Sequence, residues 1–121
     1  MMKNILVVDD NKDIADMIKI TLELSGYKCT SAYSGQDCLQ LLPQNNFDLL
    51  VLDIAMPGVT GVDILKKVKS DPKLSKNKIV FITASSPTDD VVTNLMKQGA
   101  LEVVKKPITE ENLLKLVTKY A

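Results

Sequence analysis

The chain has 121 residues, a formal net charge of zero, and fifteen basic residues that are all lysine, with no His and no Trp. Without His, the sequence excludes Ser/His and Cys/His catalysis, histidine-ligated metals and self-transfer through a phosphohistidine. Without Arg or Trp it lacks the guanidinium fork and the best stacking platform of nucleic-acid recognition, so direct nucleic-acid binding is not expected.

A chain of this length matches one ordinary domain able to bury its own core. Residues 1–121 are therefore expected to form one domain, with no output domain attached. Met1-Met2-Lys3-Asn4 leads straight into a strand-like run with no leader to read, and no apolar run reaches bilayer length. The expected location is the cytoplasm. Cys29 and Cys38 show neither metal-like nor redox-like spacing and read as core-filling thiols in a reduced compartment. Any metal must sit on oxygen ligands, which points to a hard cation such as Mg²⁺.

Taken in order, Ile5-Leu6-Val7-Val8 reads as a buried strand, and any of Asp9, Asp10 and Asn11 could cap the helix that follows. Ile14, Met17, Ile18, Thr21 and Leu22 recur at helical spacing until Ser25-Gly26. Tyr27 to Ala32 reads as a second strand. Ser34 opens a short helix through Cys38, Leu39, Leu41 and Leu42 that Pro43 ends. Leu49-Leu50-Val51-Leu52 is the most continuous apolar run and predicts the central strand, with Asp53 directly after it. Met56-Pro57-Gly58 and Gly61 mark a loop. Val62, Leu65 and Val68 mark a helix that stops near Asp71-Pro72, and Lys73 to Lys78 reads as a solvated loop. Ile79 to Ile82 is the fourth strand, Thr83 to Thr88 a polar loop, and Asp89 to Gln98 a helix closed by Gly99. Leu101 to Val104 is the fifth strand, ended by Lys106-Pro107. Thr109-Glu110-Glu111 starts a last helix, with acids suited to its N-terminus.

Five strands thus alternate strictly with five helices. Such alternation implies βαβ crossovers, parallel strands and helices on both faces. The predicted class is α/β, a doubly wound sheet whose ligands bind outside the carboxyl ends of the strands. Asp9 and Asp10 follow the first strand, Asp53 the third, Thr83 the fourth, and a lysine, Lys105 or Lys106, the fifth. If the first and third strands are neighbours, three carboxylates crowd one crevice and need a divalent cation to neutralise them. One of them could then carry a phosphoryl group as an acyl phosphate. Such transfer chiefly needs its oxygens neutralised, a task for the cation and a lysine, with Thr83 donating a further hydrogen bond. Taken singly, each residue could instead cap a helix, open a turn or face solvent. Their coincidence on one sheet edge carries the functional reading.

These residues resemble the response-regulator receiver family. The strings are Ile5-Leu6-Val7-Val8-Asp9-Asp10, Leu52-Asp53-Ile54-Ala55-Met56-Pro57-Gly58 with Gly61, Ile82-Thr83-Ala84, and Lys106-Pro107, from Ile5 to about Tyr120. The resemblance implies a flavodoxin-like (βα)5 domain with sheet order 2-1-3-4-5. It implies that Asp53 is the phosphoacceptor, that Asp10, Asp53 and the carbonyl of Ala55 hold Mg²⁺, and that Asp9 helps through water. It implies that Thr83 swings inward to the phosphoryl group beside a small Ala84, and that Lys106, the lysine directly before the proline, pairs with the phosphoryl oxygens. A cis Lys106–Pro107 bond is a further candidate feature. The implied partners are a sensor histidine kinase or histidine phosphotransfer protein as donor, and a downstream protein reading the fourth helix, fifth strand and fifth helix. The implied assembly is a monomer or a phosphorylation-dependent dimer.

Two positions depart from the family pattern. Val103 stands where an aromatic often follows the threonine's movement, and Ala55 stands where many members are polar. Ala55 and Ser85 look onto the site in the family and influence acyl-phosphate lifetime. The alternatives are a receiver-like binding module that takes no phosphate and a Mg²⁺-dependent phosphohydrolase, which would need an acid where Ala55 stands. A dinucleotide-binding role lacks its Gly-rich loop.

Overall fold

Strands covered on both faces need no polar alternation, and the runs after Asn4, Asp48 and Lys78 have none. In the computed structural model, which describes residues 2–84 and 86–121, the five strands are β1 (Asn4–Val8), β2 (Lys28–Ala32), β3 (Leu49–Leu52), β4 (Ile79–Thr83) and β5 (Glu102–Lys105), and the three runs lie in β1, β3 and β4. All pair in parallel as one sheet of order β2-β1-β3-β4-β5. The order matches the doubly wound, flavodoxin-like expectation. Five helices connect and follow them: α1 (Lys12–Leu24), α2 (Gly35–Leu41), α3 (Gly61–Ser70), α4 (Asp89–Lys97) and α5 (Glu110–Tyr120). No helix among the described residues is long and apolar enough to cross a membrane.

The pleat sorts alternate strand residues to opposite faces. Leu6, Val8, Leu50, Leu52, Ile79 and Phe81 pack against Cys38 of α2, Ile64, Leu65 and Val68 of α3 and Leu95 of α4. Ile5, Val7, Leu49, Val51, Val80 and Ile82 pack against Ala15, Ile18 and Leu22 of α1 and Leu113, Leu116 and Val117 of α5. Burying one such Leu, Ile or Phe side chain contributes about 1.5–3 kcal/mol, so the two clusters dominate what holds the sheet between its helices. Both cysteines lie in these clusters, as core thiols should.

Helix starts follow local chemistry. The side chains of Asn11, Ser34, Thr60, Thr88 and Thr109 each accept a hydrogen bond from a backbone N–H in the first turn. At α3 the bond is reciprocal, since Asp63 also accepts from the N–H of Thr60, completing a capping box. Among the three candidates after β1, the cap is Asn11.

Three sequence expectations change. Met17 shares the helical spacing of α1 yet is 57% exposed, because the buried stripe runs through Ala15, Ile18 and Leu22. The lysine-rich stretch after α3 is not wholly solvated: Leu74 is buried, and turns close on it through Leu74 N to Asp71 O and Asn77 N to Leu74 O. The fifth strand is shifted by one residue, from Leu101–Val104 to Glu102–Lys105, because its ladder with β4 ends at the Thr83–Lys105 pair.

One brace links distant parts. The ammonium of Lys69, in the last turn of α3, donates to Ser75 O at 3.0 Å and Asn77 O at 2.9 Å. Its aliphatic stem crosses Gly99, just past the end of α4, where a Cβ would lie 2.8 Å from Lys69 Cε. Gly99 also has φ +114°, so the backbone favours glycine there.

Candidate functional site

Strand pairing assembles the site. Val8 and Leu52 are register partners, so the residues after them leave β1 and β3 side by side. Asp53 N donates to Val8 O at 3.0 Å, and Asp9 N donates to Ala32 O at 3.2 Å, which extends the ladders by one residue and fixes both backbones. Oxygens of Asp9, Asp10 and Asp53 all lie within 4.8 Å of one another. Asp9 and Asp53 are 3% and 8% exposed, and Asp10 faces solvent.

Buried like charges at such range repel and need opposite charge or N–H donors. Lys106 supplies the charge. Its ammonium makes a hydrogen-bonded ion pair with Asp9 Oδ2 and lies 3.5 Å from Asp53 Oδ2. Asn11 N donates to Asp9 Oδ1 at 2.9 Å, and Ala55 N donates to Asp53 Oδ1 at 3.4 Å. The balance leaves the Asp53 carboxyl above its ordinary pKa. Burial pushes it up most, Lys106 pulls it down, Asp9 pushes it up, the Ala55 N–H pulls it down and Asp10 pushes it up. One ammonium does not neutralise three carboxylates. The donors are all hard oxygens, and both cysteines lie in the core clusters. This donor set fits a hard divalent cation.

The two lysines differ in position. Lys105 is exposed as the last residue of β5, whereas Lys106 turns back to the carboxylates, its N–H donating to Thr83 O at 2.7 Å. The bond from Lys106 to Pro107 is cis. Thr83 ends β4 fully buried, with exposed Ala84 next to it. Ala55 is exposed on the β3–α3 loop. Val103 is half-buried against the cluster of α2, α3 and α4. Ser85 lies outside the described residues.

Sequence reasoning did not find two features. Lys106 engages Asp9 more closely than Asp53, which no spacing reveals. Gly61, read as loop punctuation and as part of the family string but given no role, opens α3 against Asp53 itself: a Cβ there would lie 2.3 Å from Asp53 O, and Gly61 N donates to Ile54 O at 2.9 Å. Chemically, the arrangement can hold a cation on its carboxylates and receive an anionic group beside Lys106.

Comparisons with known proteins point the same way. The family model described as the response regulator receiver domain matches residues 5–118. Response regulator SaeR of Staphylococcus aureus is 39% identical over 113 residues, covering 93% of this chain and 48% of the relative. The chain thus spans about half the length of the curated relatives it matches. Among solved structures, chemotaxis protein CheY4 of Vibrio cholerae superposes with a TM-score of 0.92 at 27% identity, covering 100% of both chains. A CheY-like response regulator receiver domain protein from Methanospirillum hungatei JF-1 gives 0.89 at 27% identity, covering 98% of this chain and 93% of that one.

Proposed function

The chain belongs to the response regulator receiver domain family, and from that membership we propose that it is a phosphoacceptor switch of a two-component or phosphorelay system, taking its phosphoryl group onto Asp53. The observation that carries this reading is the placement of Asp53, with Asp9 and Asp10 within 4.8 Å and the Lys106 ammonium at 3.5 Å. Asp10, Asp53 and the Ala55 carbonyl would hold Mg²⁺ directly, with Asp9 assisting through water. When bound, Mg²⁺ supplies positive charge that stabilises the oxygens of the transferring phosphoryl group.

The remaining chemistry is the chain's own. A carboxylate oxygen of Asp53 attacks the phosphorus of a phosphohistidine on a sensor kinase or phosphotransfer protein. The new O–P bond forms as the P–N bond breaks, and the imidazole leaves with the electron pair. Lys106 turns from the carboxylates to the transferred phosphoryl oxygens. The Thr83 hydroxyl donates to another of them, with Ala84 leaving room. Movement of Thr83 biases the loop after β4 and the start of α4, and a downstream protein reads the changed face of α4, β5 and α5. Val103 carries no aromatic ring, so the switch is read through that loop and α4. The domain works as a monomer or as a phosphorylation-dependent dimer, without contacting nucleic acid or membrane itself. It is not an enzyme toward separate substrates: the methyl of Ala55 cannot move a proton where a phosphohydrolase needs an acid.

The test is intact mass after incubation with acetyl phosphate or phosphoramidate, with and without Mg²⁺, beside Asp53→Ala. A Mg²⁺-dependent gain of one phosphoryl group, absent in the variant, is expected. No gain under any condition would replace this reading with a binding module that takes no phosphate.

A further inference from the structure

At the end of the sheet opposite the carboxylates, where β3 and β4 begin, lies a cavity of about 590 Å³. It opens between the turn that follows α2 and the loop joining α3 to β4, and its floor is Leu42, Phe47 and Leu74, all buried. This volume falls within the range of small-molecule sites. Both walls are braced from within. Asn45 Nδ2 donates to Leu41 O on one side and Asn77 Nδ2 to Leu74 O on the other, each at 2.9 Å. Lys69 clamps the second wall through Ser75 O and Asn77 O.

The charge at the mouth is net positive. Lys67, Lys73 and Lys76 line it, and among the described residues none of them has a carboxylate within ion-pair distance. Lys78 lines it too, with its ammonium donating to Tyr120 O at 2.8 Å. Two carboxylates also line the cavity, and both already accept backbone N–H bonds: Asp48 from Asn4 at 2.7 Å and Asp71 from Lys73 at 2.9 Å. An apolar floor beneath surplus ammonium groups suits one kind of molecule, an organic monoanion with an aliphatic or aromatic body. The charge would sit at the lysines and the body on Leu42, Phe47 and Leu74. A bare anion would leave the floor uncovered, and a neutral hydrocarbon would leave the lysines unanswered. From this complementarity we propose that the cavity is a binding site for a small amphipathic carboxylate or sulfonate, separate from the phosphoacceptor site.

The experiment titrates the ¹⁵N-labelled full chain with octanoate, with octanol and acetate as the tail-only and charge-only probes. Octanoate is expected to give saturable amide shifts at Phe47, Leu74 and Asn77, octanol weaker ones and acetate none. Reversing two charges on the exposed mouth, in Lys73→Glu/Lys76→Glu, is expected to weaken octanoate binding by about two- to fivefold, the scale of one exposed ion pair, while the thermal melt stays near wild type. Asp53→Ala is expected to bind octanoate as wild type does, so failure here and failure of phosphorylation are separate results. The proposal falls if octanoate shifts nothing at the cavity, if octanol binds equally well, or if charge reversal leaves the affinity unchanged.

Discussion

Replacing Gly61 by alanine would set a methyl carbon 2.3 Å from Asp53 O, 2.9 Å from Phe81 Cε1 and 3.0 Å from Ile54 Cα, where ordinary contact begins at 3.4 Å. Two of these atoms are backbone and cannot rotate aside. Overpacking of this kind costs about 1–3 kcal/mol, and the better helix propensity of alanine returns at most about 1 kcal/mol. Asp53 would have to retreat by about 1 Å from its place 3.5 Å from Lys106, and misplacement on that scale slows a positioned reaction by up to about 100-fold. We therefore expect Gly61→Ala to lose about 1–2 kcal/mol in urea unfolding and to take phosphate from acetyl phosphate at least about tenfold more slowly. Thr60→Ala is the control. It removes the capping box of α3, at a cost of about 1 kcal/mol, without crowding Asp53. A wild-type phosphorylation rate in Gly61→Ala, or equal slowing in Thr60→Ala, would refute the positional argument.

Burial pushes the thiols of Cys29 and Cys38 up to about 12, so iodoacetamide at pH 8 should add no mass to the native chain and two carbamidomethyl groups once urea is present; rapid native labelling would contradict the buried placement. The N–H and hydroxyl of Thr60 hold the Asp63 carboxyl below its ordinary value. Its contribution to stability is therefore complete above the unfolded value and lost as pH falls through the folded one. The melting difference between wild type and Asp63→Asn should be largest near neutrality and shrink below about pH 4; a difference that grows in acid would overturn the sign. Lys69→Met keeps the stem across Gly99 but loses both bonds to the loop, so a loss of about 1 kcal/mol is expected, with faster amide exchange at residues 75–77. Unchanged exchange there would show that the clamp holds nothing.

Much of this arrangement was legible from residue order alone. Unbroken apolar runs signalled strands covered on both faces, and the acids, hydroxyl and lysine directly after them could only fall on one edge of a parallel sheet. What stayed hidden depends on geometry in space. Met17 carries the period of α1, but periodicity does not say how wide the buried stripe is. Leu74 sits alone among lysines, so no pattern marks it as core. The resemblance at Lys106-Pro107 pointed to Lys106 rather than Lys105, while its closer attachment to Asp9 follows from side-chain packing. The nearness of Gly61 to the Asp53 carbonyl arises from how tightly α3 turns back beneath β3, a distance that composition does not encode.

The brace between Lys69 and Gly99 has a mechanical meaning. The Lys69 stem lies over one end of α4 at Gly99, while the other end begins at Thr88, a few residues beyond Thr83. A helix gripped at one end behaves as a lever. At 1.5 Å per residue, Val91 stands about 12 Å from the fulcrum at Gly99 and Met96 about 4.5 Å. Both side chains are exposed, at 44% and 42%. A tilt of the kind proposed above, starting beside Thr83, would carry Val91 nearly three times as far as Met96 and make the outer arm of α4 the pointer of the instrument.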